Sequence, residues 1–145
     1  MFEKLFLLVK DNSRKAVIEN PVIQEKDRDA VMNDASSSII EVLKNQMENG
    51  KIKDLIKYFQ YPDIYENPLI GSAVNKFTNK LNNYYQINTP EATAIAEELI
   101  PPVMHEMIKQ SKLKENNNVF SLDAILSKLS GNLDMSLVLN QLRIA

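Results

Sequence analysis

The chain has 145 residues, a net charge of −2, 44% hydrophobic and 25% charged residues, one histidine and no cysteine. This is ordinary composition for a globular chain long enough to bury a core. It excludes disulfides, thiolate metal sites and a cysteine nucleophile. The three glycines, Gly50, Gly71 and Gly131, lie too far apart for a phosphate-cradling loop, and His105 alone cannot make a two-histidine metal motif.

Phe2, Leu5, Phe6 and Val9 fall at helical spacing, so the opening segment reads as a short amphipathic helix. It is too short for a membrane span, which needs about 20 apolar residues. It also lacks the cleavage site of a signal peptide. Asp11, Asn12 or Ser13 can cap a second short helix running to Glu19, which Asn20-Pro21 stops.

A long helix begins near Lys26, with Val31, Ala35, Ile39, Val42, Leu43 and Met47 on one arc, and Asn49-Gly50 ends it. Ile52, Leu55, Ile56 and Phe59 make a short helix that closes at Tyr61-Pro62. Asp63 to Pro68 reads as a loop. A helix from Leu69 to Tyr85 carries Ile70, Val74, Phe77 and Leu81.

Thr89-Pro90-Glu91 then gives a cap, a proline at the first helical position and an acid near the positive helix end. That helix runs to Gln110 with Ala92, Ile95, Ala96, Leu99, Val103 and Met107 as its stripe. After a polar Asn-rich loop, Ser121 caps a helix holding Leu122, Ile125, Leu126 and Leu129. Asp134 can cap a last one with Leu137, Val138, Leu139, Leu142 and Ile144. No stretch alternates with period two. The expectation is one all-α domain over 1–145, a compact bundle of six to eight helices.

A shift of 64 residues lays the long helices over each other, Val31 on Ile95, Ile39-Ile40 on Val103-Met104 and Gln46 on Gln110. Lys53-Asp54-Leu55-Ile56 likewise resembles Leu122-Asp123-Ala124-Ile125. The reading is two tandem helix–helix–short-helix repeats, about 13–60 and 77–130, sharing one core. Pro101-Pro102 removes the donors of the Glu97 and Glu98 carbonyls, and Ser37-Ser38 stands at the matching level of the other long helix.

The runs Asn20-Pro21, Asp29-Ala30-Val31, Ser36-Ser37-Ser38-Ile39-Ile40, Leu43-Lys44-Asn45-Gln46, Gly50-Lys51-Ile52-Lys53-Asp54-Leu55, Thr89-Pro90-Glu91-Ala92 and Leu99-Ile100-Pro101-Pro102-Val103-Met104 form one pattern. It resembles the YidB-like helical group of bacterial proteins of unknown function, including its bacteroidetes branch. The resemblance implies an all-α bacterial cytoplasmic protein and carries over no activity.

His105-Glu106 begins like a zinc-protease motif, but position 109 is Lys, so the second imidazole is missing. Glu98 and His105, seven apart, match Asp34 and Glu41 under the repeat, and inward-facing helices would bring all four together as a metal or acid–base site. The helical wheel instead puts them on polar faces.

Tyr58, Phe59, Tyr61, Tyr65, Tyr84 and Tyr85 suggest packed rings at a helix junction, or a partner or ligand groove between the repeats. Leu137, Leu139 and Leu142 suggest docking on the core, a dimer contact or a partner site. Lys51, Lys53 and Lys57, and Lys109, Lys112 and Lys114, could meet a nucleic acid. The net charge of −2 argues against it, and lysines at helix C-termini match the dipole.

The favoured function is a non-enzymatic protein-interaction or structural module of a bacterial cytoplasm, with a protein partner or self-association, no cofactor and no membrane span. The alternative is a small-ligand or metal-binding protein or enzyme using Glu98 and His105. A weak nucleic-acid binder comes third.

Overall fold

The apolar spacing resolves into six α-helices among the described residues, which in this computed structural model are 2–60, 68–113, 118 and 120–129. They are α1 Phe2–Asp11, α2 Arg28–Glu48, α3 Ile52–Gln60, α4 Pro68–Tyr85, α5 Thr89–Ser111 and α6 Leu122–Leu129. No strand occurs among the described residues, and no helix there is long and apolar enough to cross a membrane. The expected loop from Asp63, most of the Asn-rich loop and the helix after Asp134 lie outside the described residues.

Two short elements precede α2. The expected second helix is a π-helical turn, Arg14–Ile18, and a 3-10 turn, Glu25–Asp27, leads into α2. Ser13 does not cap the first of these with its side chain. It is buried, and its hydroxyl lies 2.9 Å from the Lys10 carbonyl and 3.1 Å from Met32 Sδ. Asn20 closes the turn as expected, its Oδ1 accepting from the Val22 N–H at 3.0 Å.

The stop after α2 is a Schellman motif. Gly50 takes φ +71°, its N–H donates to the Met47 carbonyl, and the Lys51 N–H donates to the Gln46 carbonyl at 2.8 Å. The turn after α4 reaches the left-handed region without glycine, at Gln86 (φ 56°). The cap of α5 is Asn88 rather than Thr89, with Asn88 Oδ1 accepting from the Glu91 N–H at 3.0 Å. Pro90 therefore sits one place further in, still where no intrahelical donor is needed.

The buried side chains form one cluster from Leu5 to Leu129. The expected stripe of α5 is buried throughout, but Ile100, Met104 and Ile108 are buried as well. The helix therefore uses a wider arc, because α1, α2, α3 and α4 all pack against it. It continues through Pro101 and Pro102. At the matching level of α2, Ser36 and Ser38 bond back to the Met32 and Asp34 carbonyls, four residues earlier.

Candidate functional site

Two arrangements bring polar groups together. The first is a seam between α2 and α4. Tyr85 donates to Asp34 at 2.5 Å. Lys80 Nζ donates to Ser37 Oγ at 2.9 Å and to Glu41 Oε1 at 3.1 Å, and Lys76 Nζ lies 3.7 Å from Glu41 Oε2. Ascending positions on α2 meet descending ones on α4, so the two helices run antiparallel. Asp34 and Glu41 are thus held by α4, while Glu98 and His105 are exposed on α5. The four do not converge. Among the described residues no three His, Cys, Asp or Glu side chains are grouped to hold a metal ion.

The seam perturbs one of its members. Burial pushes the Tyr85 phenol well above the ordinary tyrosine range, helped by its hydrogen bond to Asp34 and by that carboxylate's charge. Burial alone raises Tyr58. Both groups hold their protons more tightly folded than unfolded. Their contribution is fully present below the unfolded value of about 10 and is lost as pH rises through the folded values. Stability should therefore fall above about pH 10, and the fall should be shallower in Tyr85→Phe. Thermal melts of both proteins across that range check this, and parallel curves would contradict it.

The second arrangement is a cleft of about 450 Å³ lined by Gln46, Lys51, Asp54, Lys57, Tyr58, Pro68, Leu69 and Ser72. Local folding places each wall. Gly50 turns the chain so that Lys51 stands at the mouth, tied by its N–H to Gln46. On α3, Leu55, Ile56, Tyr58 and Phe59 are buried, which leaves Lys53, Asp54 and Lys57 on the exposed side. Tyr58 is only 1% exposed. Its hydroxyl donates to the Met104 carbonyl at 3.0 Å, and its ring meets Phe59 edge-on at 4.8 Å. The first turn of α4 supplies Pro68, Leu69 and Ser72. Neither Lys51 nor Lys57 forms an ion pair among the described residues, whereas Lys44, Lys76 and Lys80 do.

The described tyrosines do not make one patch. Tyr58 and Phe59 sit at the cleft and in the core. Tyr84, 63% exposed, and the half-buried Tyr85 stack edge-on at the far end of α4, about 24 Å along the helix at 1.5 Å per residue. Tyr61, Tyr65, Leu137, Leu139, Leu142 and Lys114 lie outside the described residues. Lys109 and Lys112 are exposed at the end of α5. Sequence reasoning missed Gln46, Ser72 and the Lys76–Lys80–Glu41 group. The only signal for the last was the pair of lysines four apart on one face of α4.

No family model, no curated protein and no solved structure matches the chain.

Proposed function

We propose that the protein is a non-enzymatic binding module that receives a short segment of a partner protein in the cleft between α2, α3 and α4. The observation that carries this reading is the cleft itself. It has the size of a ligand site, a base closed by the buried Tyr58 and Leu69 with the exposed Pro68 beside it, and a rim of ammonium, carboxylate, amide and hydroxyl groups. A photo-cross-linking residue at Ser72 should trap a partner in cells, and one at His105 should not. The trapped protein, once purified, should bind the native chain and lose affinity for Lys57→Glu. Adducts only at His105, or binding indifferent to Lys57, would contradict the reading.

We further propose that the fold is an internal duplication. Buried positions recur 64 apart: Leu5 with Leu69, Val9 with Ala73, Ser13 with Phe77 and Val17 with Leu81. In the long helices the recurrence covers Val31 with Ile95, Met32 with Ala96, Ala35 with Leu99, Ile39 with Val103 and Leu43 with Met107. The register is imperfect, for Leu8 is buried and Ser72 exposed. The packing is reciprocal as well. α1 packs on α5 and α4 on α2; α3 packs on α5 and α6 on α2. With the repeats extended to take in α1 and the start of α4, the first supplies five residues of the cleft and the second supplies Pro68, Leu69 and Ser72.

We also propose that the chain belongs to the YidB-like group, on the resemblance of its Asn20-Pro21, Ser36-Ser37-Ser38 and Pro101-Pro102 runs, and with it a bacterial cytoplasmic setting. A newly determined structure of a YidB-like protein would test this: the helix order α2 to α5 with the two prolines in the second long helix would support it, and a different helix order would end it.

A further inference from the structure

Resting on the binding reading above, we infer that the segment received by the cleft is acidic: a short peptide with a carboxylate beside an apolar side chain. The charge of the lining carries this. Lys51 and Lys57 face the cleft against one carboxylate, Asp54, and all three are exposed. No ion pair among the described residues uses either lysine, although Asp54 and Lys57 are one helical turn apart. Glu41 with Lys76 and Lys80, Arg14 with Glu19, and Lys44 with Glu48 are paired, while Lys53 and Lys109 are, like Lys51 and Lys57, outside any ion pair among the described residues; what sets Lys51 and Lys57 apart is that both line the cleft.

The remaining groups narrow the class. Gln46 and Ser72 are neutral and can donate or accept, which suits a peptide backbone. Pro68 is the exposed apolar residue of the lining, over a base closed by the buried Tyr58 and Leu69, and a bare inorganic anion would leave it unused. Asp54 adds a negative charge between the lysines, which disfavours a polyanion such as a nucleic acid while offering an acceptor to a peptide N–H. A volume of about 450 Å³ admits a few side chains and not a folded domain.

The test is amide NMR on the full-length labelled chain, titrated with the capped tripeptide Asp-Phe-Glu and with its neutral isostere Asn-Phe-Gln. The acidic peptide should shift the amides of Gln46, Lys51, Asp54, Lys57 and Ser72. It should weaken about tenfold in Lys51→Glu/Lys57→Glu, the size expected of two exposed ion pairs. Both lysines are exposed, so the variant should keep the native melting temperature and dispersion. Equal binding of the two peptides at the cleft would overturn the acidic class and leave the binding reading standing. No shift at millimolar peptide, shifts confined to other surfaces, or shifts only with a single-stranded oligonucleotide would overturn the inference.

Discussion

Tyr58→Ala is expected to destabilise the fold by about 3–5 kcal/mol, the cost of deleting a large buried ring and leaving a cavity. Tyr58 is among the largest fully buried side chains, and it links α3 to α5 through its hydroxyl on the Met104 carbonyl. Tyr58→Phe keeps the ring and loses only that hydrogen bond, so about 1 kcal/mol is expected. Denaturant unfolding of the two variants checks the difference. An alanine variant costing no more than the phenylalanine one would show that α3 is not anchored where it is described.

Lys80→Glu is expected to cost about 2 kcal/mol, between an exposed and a buried pair, because Glu41 is half-exposed and keeps Lys76. The Lys80 side chain is 14% exposed and meets Ser37 and Glu41, whose own side chain is 44% exposed. The reversal sets two carboxylates facing each other across α2 and α4. Glu41→Lys added to Lys80→Glu should recover part of the loss, because the pair is restored with opposite polarity. Lys80→Met should be milder than Lys80→Glu, since it removes the charge without repulsion and keeps most of the packing volume. Additive effects of the two reversals would mean that the seam is not coupled.

Helix placement was legible because burial follows the apolar period so closely. Val31, Ala35, Ile39, Val42 and Leu43 are all buried, and so is every residue of the expected α5 stripe. Punctuation was legible where one residue type dominates the physics, as at Gly50 and Asn20-Pro21. It failed where neighbours compete. Asn88 and Thr89 are both good caps, and only backbone geometry selected Asn88. Ser13 reads as a cap in one dimension, but packing against Met32 buries it.

The candidate sites were less legible, because a helical wheel sees one partner face and α2 has more than one. Asp34 and Glu41 lie away from the apolar arc, and the wheel placed them in solvent with Glu98 and His105. The second pair is exposed on α5; the first is half-buried because α4 covers that side with Tyr85, Lys76 and Lys80. Tyr58 escaped the α3 stripe for the same reason. Its ring points toward α5, a neighbour that the local period cannot reveal. The cleft depends on residues from Gln46 to Ser72, and nothing in their spacing shows that they meet.

The N- and C-terminal halves of the chain pack across each other and both line the cleft, and fragment complementation tests this most directly. Residues 1–64 and 65–145, produced separately and then mixed, would be followed by far-ultraviolet circular dichroism with thermal melting. Each half keeps some packing of its own, α1 and α3 on α2 and α4 on α5, but leaves apolar surface uncovered, since α1 and α3 also pack on α5 while α4 and α6 also pack on α2. Neither half alone should show a cooperative melt, and the mixture should regain one with the helix content of the intact chain. A half that folds cooperatively on its own, with no gain on mixing, would contradict the interlocked core and the cleft shared across it.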